Sequence, residues 1–515
     1  MSSAAIAPAL HRSTISDGLR RSAMKYRGRV ALTFAGRTWS FAEIDAAAGR
    51  VAHRLAGMGL KKGDRVGAYA RNSDAYLMLW LGCVRIGLVH VPINYVLTAG
   101  ELSYILDQSG ARALFHDPDL GATVDAVRKT AKVEHYGLIR GGAGDLLTTA
   151  LDKAAPRIDE TDCVDGDPAQ MCYTSGTTAA PKAAVMSHRA YVAEYLACAI
   201  EMEFSGADVA LAALPLYHTA QMHAFTMPQM MVGAVTHLIE SPVPDVVLEL
   251  IERLKITSFF APPTVWISLL RHPDFEKRDL RTLRNIYYGA SIMPVPVLQE
   301  LREKLPGVRF YNCYGQTEIA PLATILKPEE HDDRPASAGR PILTVQTRVV
   351  DEDMKDCAPG VHGEIVHRSP QLLEEYYNKP EETAEAFAGG WFHSGDVGYF
   401  DEEGYLFVID RVKDIIKSGG VVVAGREVEE ALFKHPSVSE VAVVGLPDPK
   451  WIEAVTAIVV LKPGHAEDEA GLIAHAREIL APFKVPKKVI YVQNLPRNTA
   501  GKLLKRQLRT EFADD

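Results

Sequence analysis

Tyr173, Thr174, Ser175, Gly176, Thr177, Thr178, Ala179, Ala180, Pro181 and Lys182 stand in a row after a short apolar run. Four hydroxyl side chains beside a conformationally free glycine offer N–H and O–H donors to a polyanion, and Lys182 adds a point charge. A phosphate-holding loop is the functional reading of this stretch. A plain Ser/Thr/Gly turn is the reading from composition alone. The order is not that of a GxxxxGK[ST] loop and no GxGxxG occurs elsewhere, so neither familiar nucleotide fingerprint applies.

The surroundings are those of a large globular protein: 515 residues, 47% hydrophobic and 23% charged, enough for two to four domains. Fifty-six Lys+Arg against 65 Asp+Glu give a net charge of -9. That balance argues against nucleic acid or anionic lipid as the general partner and for a small molecule. Six cysteines without a CxxC pair or metal-finger spacing fit a reduced, cytoplasmic setting. The most apolar stretch, Tyr76 to Ile93, is broken by Arg85 and His90, so no membrane span is expected. The first 30 residues, Arg- and Ser-containing with Asp17 as the one acid, read either as a transit peptide or as a surface helix using Ile15 and Leu19.

Helix-like and strand-like segments alternate over the first four hundred residues, which predicts an α/β fold with largely parallel strands. Ser40 with Glu43, and Thr98 with Glu101, are capping boxes opening helices; Arg65–Tyr69 and Gly87–Val91 read as buried strands. A hairpin-like stretch around Asp401–Ile409 runs into the charged segment Asp410–Asp414 and then Gly419-Gly420. We therefore expect a domain of residues 1–409 and a small α/β domain of residues 410–515, with a hinge at Asp410.

Further blocks stand in order along the chain: Leu214-Pro-Leu-Tyr-His218, Tyr288-Gly-Ala-Ser291, Tyr311-Asn-Cys-Tyr-Gly-Gln-Thr-Glu318, Trp391-Phe-His-Ser-Gly-Asp396, Asp410-Arg-Val-Lys-Asp414 and Pro496-Arg-Asn-Thr-Ala-Gly-Lys502. With the 173–182 loop they resemble the adenylate-forming (ANL) superfamily, which holds the AMP-forming acyl-CoA synthetases, peptide-synthetase adenylation domains, luciferases and amide bond synthetases. The resemblance spans about Val30 to Arg509. It implies a large multi-sheet adenylation domain, a small mobile domain, and an ATP- and Mg²⁺-dependent ligase acting on a carboxylic acid.

Residue by residue, the resemblance implies that Thr174, Ser175, Gly176, Thr177, Thr178 and Lys182 hold phosphates. Gly289, Ala290, Ser291 and Tyr314 would receive the adenine, Asn312 and Gly315 would belong to the cofactor-binding set, and Thr317 would hydrogen-bond the α-phosphate. Glu318 would be the Mg²⁺ ligand, since Mg²⁺ takes few protein carboxylates besides phosphate oxygens. Asp396 and Arg411 would hold the ribose, and Lys417 would belong to the cofactor-binding set. His218 would orient the acid, and Lys502, carried in on the hinged domain, would bridge carboxylate and phosphate as charge moves to pyrophosphate. Alone, Asp396 reads as a turn-former, His218 as a core histidine and Lys502 as a surface lysine.

The acid-pocket candidates are Gln221, Met222, Phe225, Trp266, Ile319 and Ala320. Their segments hold no Arg or Lys for a second carboxylate, which favours an aromatic or medium-to-long aliphatic acid. Three positions depart from the family pattern: Ala179 and Ala183 replace glycines, and Val422 stands where many thioester-forming relatives carry Asn or Gln. The last leaves two acyl acceptors open, CoA or an amine, with a catalytically idle nucleotide-binding regulator as a third class.

Overall fold

A computed structural model describes residues 11–160, 162–174, 181–291, 293–411, 414–418, 421–497 and 503–513. Ser175, Gly176, Thr177, Thr178 and Lys502 lie outside the described residues, as do Ala179, Gly419 and Gly420 and the side chain of Val422.

Local signals account for the helix starts. Ser40 accepts from Glu43 N while the Glu43 carboxylate accepts from Ser40 N, opening Phe41–Gly57. Thr98 and Glu101 do the same for Ala99–Ser109. Such caps satisfy otherwise orphaned N–H groups and contribute about 1 kcal/mol each. Thr14 and Asp17 form a third box at Ile15–Tyr26, a helix that buries Ile15 and Leu19.

Four sheets follow. In the nine-stranded sheet, Arg309–Gly315, Asn285–Gly289, Ser258–Phe260, Val209–Ala212, Val235–Leu238 and Val30–Phe34 are all parallel. Leu322–Leu326 and Arg340–Pro341 extend one edge antiparallel. The seven-stranded sheet has a parallel run from Pro168–Thr174 through Val89–Ile93, Arg65–Tyr69 and Ala111–His116 to His135–Leu138. Lys182–Ser187 and Glu375–Tyr376 complete it antiparallel. The strand expected at Gly87–Val91 begins two residues later, because Gly87 (φ +70°) still belongs to the turn.

The third sheet, Gln346–Val350, Gly363–Arg368, Phe392–Phe400 and Leu406–Arg411, is wholly antiparallel, against the expectation of largely parallel strands. Its last two strands are joined by the tight turn at Asp401, whose carboxylate accepts from Glu403 N and Tyr405 N. A parallel pair would need a crossover of about a dozen residues. The fourth sheet uses only strands after residue 415, with its own core of Val428, Leu432, Val443, Val455, Val459 and Leu472. The molecule is thus α/β, with a large multi-sheet N-terminal domain and a smaller C-terminal one. Among the described residues, no helix is long and apolar enough to cross a membrane.

Candidate active site

Ligands of parallel sheets gather at the carboxyl ends of the strands. Gly289 and Cys313 are register partners at that end of the nine-stranded sheet. A Cβ on Gly289 would lie 2.2 Å from Cys313 O, and one on Gly315 would lie 1.9 Å from Pro321 O, so both positions require glycine. Ala290 adopts φ +63°, turning the chain out of the sheet, and Ser291 follows half-buried. The Asn312 amide donates to Ser337 O at 2.7 Å, a framework role. Beyond Gly315, a single tight turn Thr317–Ile319 brings Thr317 Oγ1 within 3.3 Å of Thr219 Oγ1.

Asp396 and Arg411 are direct register partners in the third sheet. Arg411 Nε lies 3.0 Å from Asp396 Oδ1, and the Tyr314 hydroxyl donates to Asp396 Oδ2 at 2.7 Å. Burial, reinforced by the Asp396 carboxylate, pushes the Tyr314 phenol well up, so it remains a donor. Asp396 holds Arg411 above the usual guanidinium range despite burial, with Glu318 and Tyr314 adding to the effect. Tyr314, Asp396, Arg411 and Glu318 therefore share one electrostatic neighbourhood.

Glu318 is 8% exposed, and its Oε1 accepts from the Tyr376 hydroxyl at 3.2 Å. The Lys182 ammonium stands 5.1 Å from the centroid of the same Tyr376 ring. Thr174 is the register partner of Lys182, so the two bracket the seven residues between them in sequence. Among the described residues no three or more His, Cys, Asp or Glu gather as a metal cluster. A nucleotide-borne Mg²⁺ needs one or two carboxylates, and Glu318, standing across the Tyr376 ring from Lys182, fits that demand.

His218 precedes a π-helical segment, Ala220–Thr226, a form that recurs at functional sites. Its Nδ1 accepts from Ala220 N at 3.4 Å. Met222, Phe225, Ile319 and Ala320 are buried around this segment, with Phe225 stacked on Phe260 at 4.1 Å. Gln221 spends its amide on Leu214 N and Thr226 Oγ1, and the Trp266 indole N–H reaches Tyr287 O at 3.4 Å. Both of those side chains are committed to holding the frame.

The pattern of the AMP-binding enzyme family matches residues 19–377, and that of its C-terminal domain matches residues 427–502. The chain belongs to the AMP-binding enzyme family. These are the adenylate-forming ligases, and this AMP-binding enzyme is an AMP-forming ligase. It is 34% identical over 482 residues to a feruloyl-CoA synthase of Amycolatopsis, covering 94% of this chain and 96% of that one. Among solved structures it resembles ATP-bound MatB of Rhodopseudomonas palustris, with TM-score 0.90 and 32% identity over 97% of this chain and 99% of that one. It also resembles the amide bond synthetase McbA of Marinactinospora thermotolerans, with TM-score 0.87 and 31% identity over 97% and 99% of the two chains.

Three features of this AMP-binding enzyme escaped the sequence. Tyr376 lies in an unremarked Tyr-Tyr pair, and only strand pairing of Glu375–Tyr376 with Val185 and Ala184 brings it to Lys182. Thr219 gains a partner, Thr317, nearly a hundred residues away. Glu194 is fully buried in the helix His188–Glu201 and accepts from Leu322 N at 3.0 Å and from Gln371 Nε2. Gln371 also donates to Ile319 O and Leu322 O, so the pair grips the backbone flanking the 317–320 turn. A buried acid without a nearby cation has no local sequence signal.

In the C-terminal domain, Lys417 is exposed on Ile416–Ser418, its backbone N–H donating to Glu453 at 2.6 Å. The Asp410 side chain is largely covered, which pushes its carboxyl up, and Lys505 lies 3.7 Å away. Lys505 also pairs with Glu429 at 2.9 Å, and Arg509 with Asp414 at 2.5 Å. These ion pairs tie the helix Lys505–Glu511 to the segment around Asp410.

Proposed function

We propose that this ligase activates an apolar carboxylic acid with ATP and passes the acyl group to the thiol of CoA. In the first step a carboxylate oxygen attacks the α-phosphorus and pyrophosphate leaves, giving an acyl-adenylate. In the second the thiol sulfur attacks the acyl carbon, its proton is lost, and AMP leaves with the bond electrons.

The observation that carries this reading is the convergence of Tyr314, Asp396 and Arg411 with Glu318, Tyr376 and Lys182 near the ends of parallel strands. Asp396 accepts from ribose hydroxyls while Arg411 fixes it, and the Tyr314 ring flanks the adenine. Lys182 and Thr174 bracket the phosphate loop, and Thr317 donates to the α-phosphate. His218 orients the carboxylate. Glu318 is the residue that would hold Mg²⁺, which would supply charge neutralisation along the triphosphate. Lys502 enters from the C-terminal domain, its ammonium stabilising the charge that builds on the pentavalent phosphorus. Asp410 serves as the hinge between residues 1–409 and 410–515, and rotation there withdraws Lys502 for the second step.

CoA as acceptor is supported by the likeness to the feruloyl-CoA synthase and by Trp451, a half-exposed ring flanked by the ammonium groups of Lys450 and Lys487 at 4.9 and 5.0 Å. An aromatic face with two cations suits a phosphorylated purine. The amine alternative is favoured by the likeness to McbA and by Val422 in place of a polar residue. The buried apolar set Met222, Phe225, Ile319 and Ala320 supports an aryl or longer aliphatic acid.

Acid-dependent exchange between ATP and labelled pyrophosphate tests the first step across a panel of apolar acids; no exchange with any of them would sink the reading. Supplying an accepted acid with ATP, Mg²⁺ and either CoA or a simple amine, then weighing the product, decides the acceptor. Thioester without amide is the expected result.

A further inference from the structure

Three backbone hydrogen bonds stitch the segment 373–377 between two parts of the site, and a fourth ties it to the helix that follows. Leu373 N donates to Glu318 O at 2.8 Å, anchoring it to the turn that carries the candidate metal ligand. Glu374 N donates to Val185 O at 2.8 Å and Tyr377 N to Ala183 O at 2.9 Å, anchoring it to the strand that starts at Lys182. Tyr376 N donates to Thr383 Oγ1 at 3.0 Å. Tyr376 is paired with Ala184, two residues from Lys182, and such diagonal neighbours share a face within reach of long side chains. The ring is thus held from both sides, 8% exposed, with Lys182 on its face and Glu318 at its hydroxyl.

We propose that Tyr376 is a positioning residue with two separable actions: its hydroxyl orients the Glu318 carboxylate for the metal, and its ring face holds the Lys182 ammonium at the phosphate loop. The inference rests on the assignment of Glu318 to Mg²⁺ and Lys182 to phosphate. A phenol donating to one carboxylate oxygen restricts rotation of the group and aims the other oxygen. An ammonium over an aromatic face is attracted by the ring quadrupole, which keeps a long flexible side chain in place before the nucleotide arrives. An ionised carboxylate oxygen can only accept, so the phenol O–H is the donor between the two groups.

The two actions separate by substitution. Calorimetric titration of ATP into wild type, Tyr376→Phe, Tyr376→Leu and Glu318→Gln, each with and without Mg²⁺, reads them without recourse to turnover. Tyr376→Phe keeps the ring: its Mg²⁺-free ATP affinity should stay within about 2-fold of wild type, while the gain from Mg²⁺ shrinks ~10-fold. Tyr376→Leu should lose that gain and also bind Mg²⁺-free ATP roughly 3- to 10-fold more weakly, the size of a partly exposed cation–π contact. In a Glu318→Gln background Tyr376→Phe should cost nothing further. A full Mg²⁺ gain in Tyr376→Phe, with the gain lost in Glu318→Gln, overturns the proposal alone. A full gain in Glu318→Gln itself overturns the metal assignment and the proposal with it. Equal behaviour of the Phe and Leu variants without Mg²⁺ overturns the ring's action on Lys182.

Discussion

Asp396 and Arg411 face each other as register partners in an antiparallel hairpin, with Arg411 Nε 3.0 Å from one carboxylate oxygen and the Tyr314 hydroxyl 2.7 Å from the other. Arg411 and Tyr314 thereby fix both oxygens of the carboxylate. Replacing Asp396 by Asn keeps the shape and removes the charge. We expect ATP affinity to fall roughly 10- to 100-fold, the range of a charge-assisted hydrogen bond lost, with the melting temperature lowered through the orphaned Arg411. Calorimetry with ATP checks this, and an unchanged dissociation constant would remove Asp396 from the ribose site.

Lys502→Ala should abolish most adenylate formation while leaving ATP binding within about 3-fold, a split expected of a group that acts on charge developing in the transition state. The rate loss should be at least ~100-fold, comparable to losing one preorganised oxyanion donor. Pyrophosphate exchange and ATP titration on the same preparation check it. Wild-type exchange would exclude Lys502 from the first step.

Gly315→Ala places a methyl 1.9 Å from Pro321 O, a backbone atom with nowhere to go. A loss of about 2–3 kcal/mol in denaturant unfolding is expected, together with weaker ATP binding because the Thr317–Ile319 turn must shift. Normal stability in urea titration would show that the turn is more compliant than its contacts indicate.

Glu194 gives the pH prediction. Burial pushes its pKa from the ordinary 4.5 up to about 8, and its hydrogen bonds from Cys198, Leu322 N and Gln371 only partly offset this. In the folded chain it therefore keeps a proton that the unfolded chain releases near pH 4.5. Stability contributed here falls as pH rises from about 4.5 to 8 and levels off above. Buried His188, His331 and His367, each held near 4, act in the opposite sense, costing stability as pH drops below 6.5. Comparing Glu194→Gln with wild type isolates the carboxyl. The variant should gain stability relative to wild type from pH 5 to 8 in thermal unfolding, and a difference independent of pH would contradict the burial argument.

Much of the fold was legible because its signals are local. The capping boxes at Ser40 and Thr98 and the hairpin turn at Asp401 each depend on residues within a few positions of one another, and all form where expected. Beyond that hairpin, the antiparallel order of the third sheet was not legible, because strand direction depends on connections and partners that periodicity does not encode. In the site, Asp396, Arg411, Tyr314 and Glu318 could be named from ordered motifs, but Trp266 and Gln221 could not be told from framework residues until their hydrogen bonds to Tyr287, Leu214 and Thr226 were seen.

By itself, the amino-acid sequence determined the α/β class through capping and hydrophobic period, while its ordered motifs carried the resemblance that implied two domains and adenylate-forming chemistry. Only the tertiary structure decided which side chains act together. Tyr376 reaches Lys182 by pairing of strands nearly two hundred residues apart and reaches Glu318 through a turn on another sheet, and Glu194 grips Leu322 across the core. Hydrogen bonds and charges act over a few ångströms of space, and spacing along a chain carries no information about them until the strands are in register.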